Sequence, residues 1–278
     1  MAAGAEMSGL LRAQRRIGLL QSHMTCSSSG TAAGCGGRCV TAAGEGAIVT
    51  RGDIVVQRAA SSAEVVDRLQ RYGVCIIERL ATAESIAALD EQIALGDYRS
   101  TTATVPGYAG AEVLFKVPAS VGLVEHPLVL DSVNGLLGPH CKQLSLKLLT
   151  VLSVHPGKPK QRLHREEGLW PAHHFPFPWC VDVLWAATDF TAENGATYFV
   201  PRSAASTSLG SRAEDDPWSR AAPRAHWQSA HEYPQCMRAE MPAGSVMLFA
   251  GGTLHAAGEN SMAGPPAPRN VRKGLLTG

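Results

Sequence analysis

The sequence has little of anything that would mark it for a membrane, a nucleic acid or an oxidising compartment. Its 278 residues carry 25 Lys and Arg against 24 Asp and Glu, a formal net charge of +1. That balance sets up no broad field to gather nucleic acid or an anionic bilayer surface. No apolar run approaches the ~20 residues that span a bilayer. The longest runs, such as VDVLWAA at 181–187, are strand-sized. Seven cysteines are present, an odd number without paired spacing. Cys26, Cys35 and Cys39 fall in the first 50 residues, with no second pair to complete a tetrahedral zinc site. Cys75, Cys141, Cys180 and Cys236 are scattered, as small core residues in a reducing compartment would be. No internal repeat is visible.

Residues 1–50 differ from the rest. They are rich in Ala, Gly and Ser, hold Arg12, Arg15, Arg16 and Arg38, and have only Glu6 and Glu45 as acids. This composition buries no core and predicts a disordered extension, or an organelle transit peptide, which is Arg- and Ser-rich and acid-poor. The expected location is therefore cytoplasmic or organellar, not secreted. An ordered domain over 51–278 is expected to begin in earnest near residue 53. SSAEVVDRLQRYG reads as a helix capped by Ser61 with Glu64 three residues on, and ended by Gly73. VCII reads as a strand. TAESIAALDEQIALG is a second helix, capped by Thr82 with Ile86, Leu89 and Ile93 inward. HPLVLDSVNGLLG is a third, with Pro127 in the first turn and Gly138 at its end. After residue 140 come short strand-like runs, among them KQLSLKLLTVLSV, VDVLWAATDF, ATYFVP, QCMRAEMP, GSVMLFAG and VRKGLLTG. Asn194-Gly195 suits a hairpin turn with positive φ, and 203–234 reads as a long loop. Helices first and strands after predict an α+β domain whose core is a sandwich or jelly-roll barrel.

QRLHREEGLW at 161–170 carries the chemistry. In a strand, residues i and i+2 face the same way, so His164 and Glu166 can grip one cation together. A third ligand is offered by His255, which follows the strand GSVMLF after Gly251-Gly252. Two imidazoles and one carboxylate form the facial triad of non-haem Fe(II) oxygenases, with three coordination positions left open. A 2-oxo acid such as 2-oxoglutarate fills two of these and O₂ the third. Its distal carboxylate then needs a cation, and the planar fork of Arg suits it. RNVRKGLL offers Arg269 and Arg272. Arg272 leads straight into the apolar GLL and is the stronger candidate.

Four stretches together resemble the phytanoyl-CoA dioxygenase family of Fe(II)/2-oxoglutarate oxygenases. YGVCIIERL resembles its helix-to-strand entry, and QRLHREEGLWP its Gln…His-x-Asp region. WAATDFTAENGATYFVPRS is similar to its Asn-Gly turn and Pro-Gly-Ser segment. GSVMLFAGGTLHAAGENS with RKGLL resembles its distal His and co-substrate Arg. The resemblance implies that His164, Glu166 and His255 bind iron, that Arg272 binds 2-oxoglutarate, and that Gln161 and Thr197 line the co-substrate site. It implies a double-stranded β-helix with the N-terminal helices packed outside. It also implies hydroxylation of a small-molecule or lipid-like substrate, with O₂ consumed and succinate and CO₂ released.

The sequence departs from the family pattern in three places. Glu166 stands where the family usually has Asp, PRSA at 201–204 stands for Pro-Gly-Ser-His, and the chain stops six residues after Arg272, which predicts a C-terminally truncated domain. An inactive metal-binding jelly-roll module and a cupin-like Zn or Mn enzyme are the alternatives. The first would form no succinate, and the second would survive charge reversal at Arg272. His155, Asp189, Asn194 and Asn260 read as structural, Glu167 as a solvated neighbour, and His173 and His174 as loop residues. Trp170 and Trp179 read equally as pocket wall or core.

Overall fold

The computed structural model describes residues 48–95, 113–166, 177–204, 235–267 and 270–278. The described α-helices lie before residue 138, with two short strands among them: α1 (Arg51–Ile54), α2 (Ser62–Tyr72), α3 (Ala83–Leu95), α4 (Val113–Lys116), α5 (Ser120–Val124) and α6 (Pro127–Leu137). Local chemistry sets their ends. The Ser61 hydroxyl accepts from the Glu64 N–H at 3.2 Å, and α2 closes on Gly73 at φ +75°. The left-handed region costs a residue with a Cβ roughly 1–2 kcal/mol, so glycine fits this cap. Thr82 accepts from the Ser85 N–H at 3.2 Å at the head of α3. α6 ends at Gly138 as expected, but the cap keeps right-handed dihedrals and the chain tightens into a 3₁₀ turn over Gly138–His140. No described helix is long and apolar enough to cross a membrane.

The strands are β1 (Val55–Val56), β2 (Val74–Ile77), β3 (Leu149–Val154), β4 (Val181–Ala186), β5 (Tyr198–Phe199), β6 (Met237–Arg238), β7 (Val246–Ala250), β8 (His255–Ala256) and β9 (Arg272–Thr277). One sheet has the order β1-β2-β7-β4-β9-β3 and a smaller one β6-β5-β8. All pairings are antiparallel except β1 with β2.

Both faces of the large sheet are buried, and the period of two sorts them. On β4, Val181, Val183 and Trp185 join Val65, Leu69, Leu89 and Leu136 from the helices in one core. Leu184 and Ala186 point the other way and meet Phe190, Phe199, Phe249 and Leu276 between the two sheets. Burial on both sides explains why these strands read as near-continuous apolar runs.

The Asn194-Gly195 turn does not close a hairpin as expected. β4 lies in the large sheet and β5 in the small one, so the turn is a corner between sheets. Asn194 holds it: its Oδ1 accepts from the Thr191 N–H at 2.9 Å and its Nδ2 donates to the Asp189 carbonyl at 2.8 Å. Gly195 has φ +92°, and a Cβ there would lie 2.8 Å from the Gly258 carbonyl oxygen. Gly195→Ala is therefore expected to destabilise the fold by roughly 1–3 kcal/mol, read as a lowered midpoint in thermal unfolding.

Candidate metal centre

His164 and His255 meet across a bridge between distant segments. Each donates its backbone N–H to the other's carbonyl, at 2.9 and 3.0 Å. Upstream, the Gln161 N–H donates to the Ala257 carbonyl at 2.9 Å, so residues 161–164 run along the outer side of β8. Directly opposed residues put their side chains together, and the two imidazole centroids are 4.4 Å apart. Glu166, two residues on from His164, turns to the same side, as the i, i+2 spacing predicts. Its Oε1 is 3.7 Å from the Nε2 of each histidine.

Each ring is held by its other nitrogen. Nδ1 of His164 lies 3.0 Å from the Arg162 carbonyl oxygen, and Nδ1 of His255 lies 3.0 Å from that of Thr253. A carbonyl only accepts, so each Nδ1 carries a proton and each Nε2 faces the Glu166 carboxylate. The Thr253 hydroxyl is itself anchored to the Gly73 carbonyl at 2.8 Å, and Phe249 packs its ring 4.5 Å from that of His255. Among the described residues, His164, Glu166 and His255 are the group able to hold a metal ion, one donor atom from each lying within 4.8 Å of the others. With metal–ligand bonds of about 2.1 Å, two donors on one ion lie at most about 4.2 Å apart. The two 3.7 Å separations are within that span, so the donor set fits a cation with little adjustment.

The charges respond to this crowding. Burial alone would raise the Glu166 carboxyl, but the two facing imidazoles hold it far below the usual carboxylate range. Burial would likewise lower His164, yet Glu166 and the Arg162 carbonyl outweigh it and leave its pKa above the ordinary imidazole value. His255 is lowered by burial and then by the neighbouring His164.

Arg272 opens β9 and is 1% exposed. It donates from Nη1 to the Thr197 hydroxyl at 2.9 Å, and its guanidinium carbon lies 4.7 Å from the Phe190 ring centroid. The structure thus brings Arg272 and Thr197 together. Gln161 is fixed by its Oε1, which accepts from the Ala257 N–H at 2.9 Å. Arg269, Glu167, Trp170, His173, His174 and most of the 203–234 loop lie outside the described residues. Asn260 is structural, as its position suggested: its Nδ2 donates to the carbonyls of Val154 and Asn270 at 2.8 and 2.7 Å. Arg202, where glycine was expected, takes φ +64°, so the turn is kept despite the substitution.

The sequence reading missed Lys147 and Asp182. Asp182 is wholly buried on β4, and the Lys147 ammonium lies 3.0 Å from its Oδ1. Burial pushes the Asp182 carboxyl up to about 6 against the pull of Lys147, and the charge on Glu166 adds to the rise. An acid inside the apolar run VDVLWAA was the available signal.

The model of the phytanoyl-CoA dioxygenase (PhyH) family matches residues 69–266. The chain belongs to the phytanoyl-CoA dioxygenase family. This is a family of Fe(II)/2-oxoglutarate-dependent oxygenases. Among its relatives, dioxygenase aneA of Aspergillus aculeatus is 31% identical over 186 residues, 63% of this chain and 55% of the relative. Dioxygenase trt7 of Aspergillus terreus is 32% identical over 160 residues, 55% of this chain and 46% of the relative. The chain thus spans about half the length of these two relatives. Dioxygenase cdmA of Talaromyces verruculosus is 25% identical over 222 residues, 74% of this chain and 70% of the relative. The fold is similar to that of the non-haem alpha-ketoglutarate-dependent carbocyclase SnoK from nogalamycin biosynthesis, with a TM-score of 0.58 and 19% identity over 78% of this chain and 85% of that one. The epimerase SnoN from the same biosynthesis gives 0.56 and 20%, over 78% and 81%.

Proposed function

We propose that this chain is a non-haem Fe(II)/2-oxoglutarate-dependent dioxygenase that hydroxylates a small-molecule or lipid-like substrate, using O₂ and releasing succinate and CO₂. We read its two stacked sheets as a double-stranded β-helix, with the helices packed on the outer face of the larger sheet. One observation carries the reading. Two imidazole nitrogens and a carboxylate oxygen from distant segments converge on one point, in a fold whose β9 also supplies a buried arginine.

His164, Glu166 and His255 are the proposed ligands, and bound iron supplies the activation of O₂ and of the substrate C–H bond. The chain does the rest. The Arg162 and Thr253 carbonyls fix both imidazoles with Nε2 toward the metal. Arg272, set by Thr197, receives the distal carboxylate of 2-oxoglutarate, while Gln161 lines the co-substrate site. Phe190, Phe199, Phe249, Leu184 and Leu276 make the intersheet space apolar and exclude water.

The test is co-substrate turnover without the primary substrate. The purified protein with Fe(II), O₂ and 2-oxoglutarate should form succinate, and chelation of the metal should stop it. A protein that binds metal but forms no succinate under these conditions would be the inactive module instead.

Metal affinity should also depend on pH. His164 titrates above the ordinary value of about 6.5, so as pH falls through that raised value the ion must displace a proton from it. His255 is shifted down and Glu166 far down, so neither opposes binding near neutrality. Affinity should therefore fall on acidification through the raised His164 value, approaching tenfold per pH unit below it. Metal titrations between about pH 6 and 8 check this; a flat profile contradicts it.

A further inference from the structure

Phe190 touches two spaces that the fold otherwise keeps apart. Its ring lies against the guanidinium of Arg272, whose Cζ is 4.7 Å from the ring centroid. The same residue lines a separate cavity of about 540 Å³, with Ile54, Met237 and Met241 as apolar neighbours and Arg51 and Arg238 among the polar ones. Arg272 does not line that cavity, so the ring is a wall between the two. β9 makes room for it. Arg272, Gly274 and Leu276 follow one face of the strand by the period of two. A Cβ on Gly274 would lie 3.0 Å from Phe190 Cζ and 3.0 Å from Leu184 Cδ1, so the ring tip rests where the strand carries no side chain. The Phe190 backbone is pinned as well. Its N–H donates to the Met241 carbonyl at 2.9 Å, and its carbonyl accepts from the Met241 N–H at 3.1 Å.

A 2-oxo acid held at both ends, by the metal at one and by Arg272 at the other, is measured by the distance between its anchors. The long stem of an arginine would let its fork follow a longer ligand. Here the Thr197 hydroxyl accepts from Nη1 at 2.9 Å, and the Phe190 ring bars the guanidinium from the cavity behind it. We propose that Phe190 is a positioning residue that sets the chain length of the co-substrate. It holds Arg272 at a depth that fits the five-carbon 2-oxoglutarate and rejects its six-carbon homologue, 2-oxoadipate. The inference rests on the reading of Arg272 as the co-substrate anchor.

The test is calorimetric titration of 2-oxoglutarate and of 2-oxoadipate into the Mn(II)-loaded protein. One methylene in a fitted apolar site changes recognition by about 10–200-fold. The parent should therefore favour 2-oxoglutarate by at least about tenfold. Phe190→Ala lets the guanidinium retreat into the cavity. It should bind 2-oxoadipate more tightly than the parent does, and the ratio of the two affinities should move at least about tenfold toward the longer acid. Phe190→Leu keeps more of the apolar volume and should move the ratio the same way by less; it carries the test alone if the alanine variant does not fold. A ring that only packs the core would, when removed, weaken both acids together or leave both unchanged, with a lowered thermal midpoint. Either result overturns the proposal, as does a parent that binds the two acids alike. A parent that binds neither acid overturns the reading of Arg272 itself, and the inference with it, before any variant is compared.

Discussion

Arg272→Met lowers the affinity for 2-oxoglutarate by about a hundredfold or more while leaving metal binding nearly unchanged. The guanidinium is buried, so the carboxylate it receives would be left without a partner in an apolar space. Truncating one side of a buried charge pair costs roughly 2–5 kcal/mol, and each 1.4 kcal/mol is about a factor of ten. Thr197 and Phe190 hold the guanidinium from two sides. Arg272→Lys keeps the charge and loses the planar fork, and it should fall between the parent and the methionine variant. Calorimetric titration of 2-oxoglutarate into the Mn(II)-loaded proteins gives the comparison. A methionine variant that binds 2-oxoglutarate like the parent would remove Arg272 from the site.

The larger effect belongs to His255. His255→Ala removes one of three ligands, and the metal should then be held about a hundredfold more weakly or worse. That exceeds the 10–100-fold typical of losing an outer hydrogen-bonding partner. Succinate formation should drop below detection at micromolar iron. Glu166→Ala should behave the same way. Glu166→Asp restores the acid the family usually has, and it should retain metal, because the missing methylene amounts to about 1.5 Å in a cluster whose donors already sit 3.7 Å apart. In the metal-free protein the same charges tie stability to pH in opposite directions. Glu166, shifted down, stabilises the fold above about pH 4.3, and the contribution is lost as pH falls through its depressed value. His164, shifted up, stabilises it below about pH 6.5, and that contribution is lost as pH rises through its raised value.

Much of this was legible in the chain because local rules agreed with the fold. Ser61 and Gly73 bracket α2 because a capping hydroxyl and a left-handed glycine act within a few residues. β4, β7 and β9 stood out because burial on both faces leaves uninterrupted apolar runs. His164 and Glu166 were readable as a pair since one strand period sets their direction. Longer-range relations were less visible. β5, β6 and β8 are two residues each, too short to show a period, and they are defined by long-range pairing. The corner at Asn194-Gly195 looked like a hairpin because its turn chemistry is local, while the sheet each strand joins is not. Lys147 and Asp182 are 35 residues apart, and nothing in either neighbourhood announces the other. Arg202 in a left-handed turn was equally hidden, since only the surrounding packing, with its N–H donated to the Tyr72 carbonyl at 2.8 Å, holds it there.

The most direct measurement is an anaerobic titration of Fe(II) into the protein with 2-oxoglutarate present, followed in the visible spectrum. A weak metal-to-ligand charge-transfer band should grow and saturate at one iron per chain, and it should be absent from His255→Ala. An iron-loaded protein that shows no such band with excess 2-oxoglutarate would contradict the assignment of this cluster as the oxygenase centre.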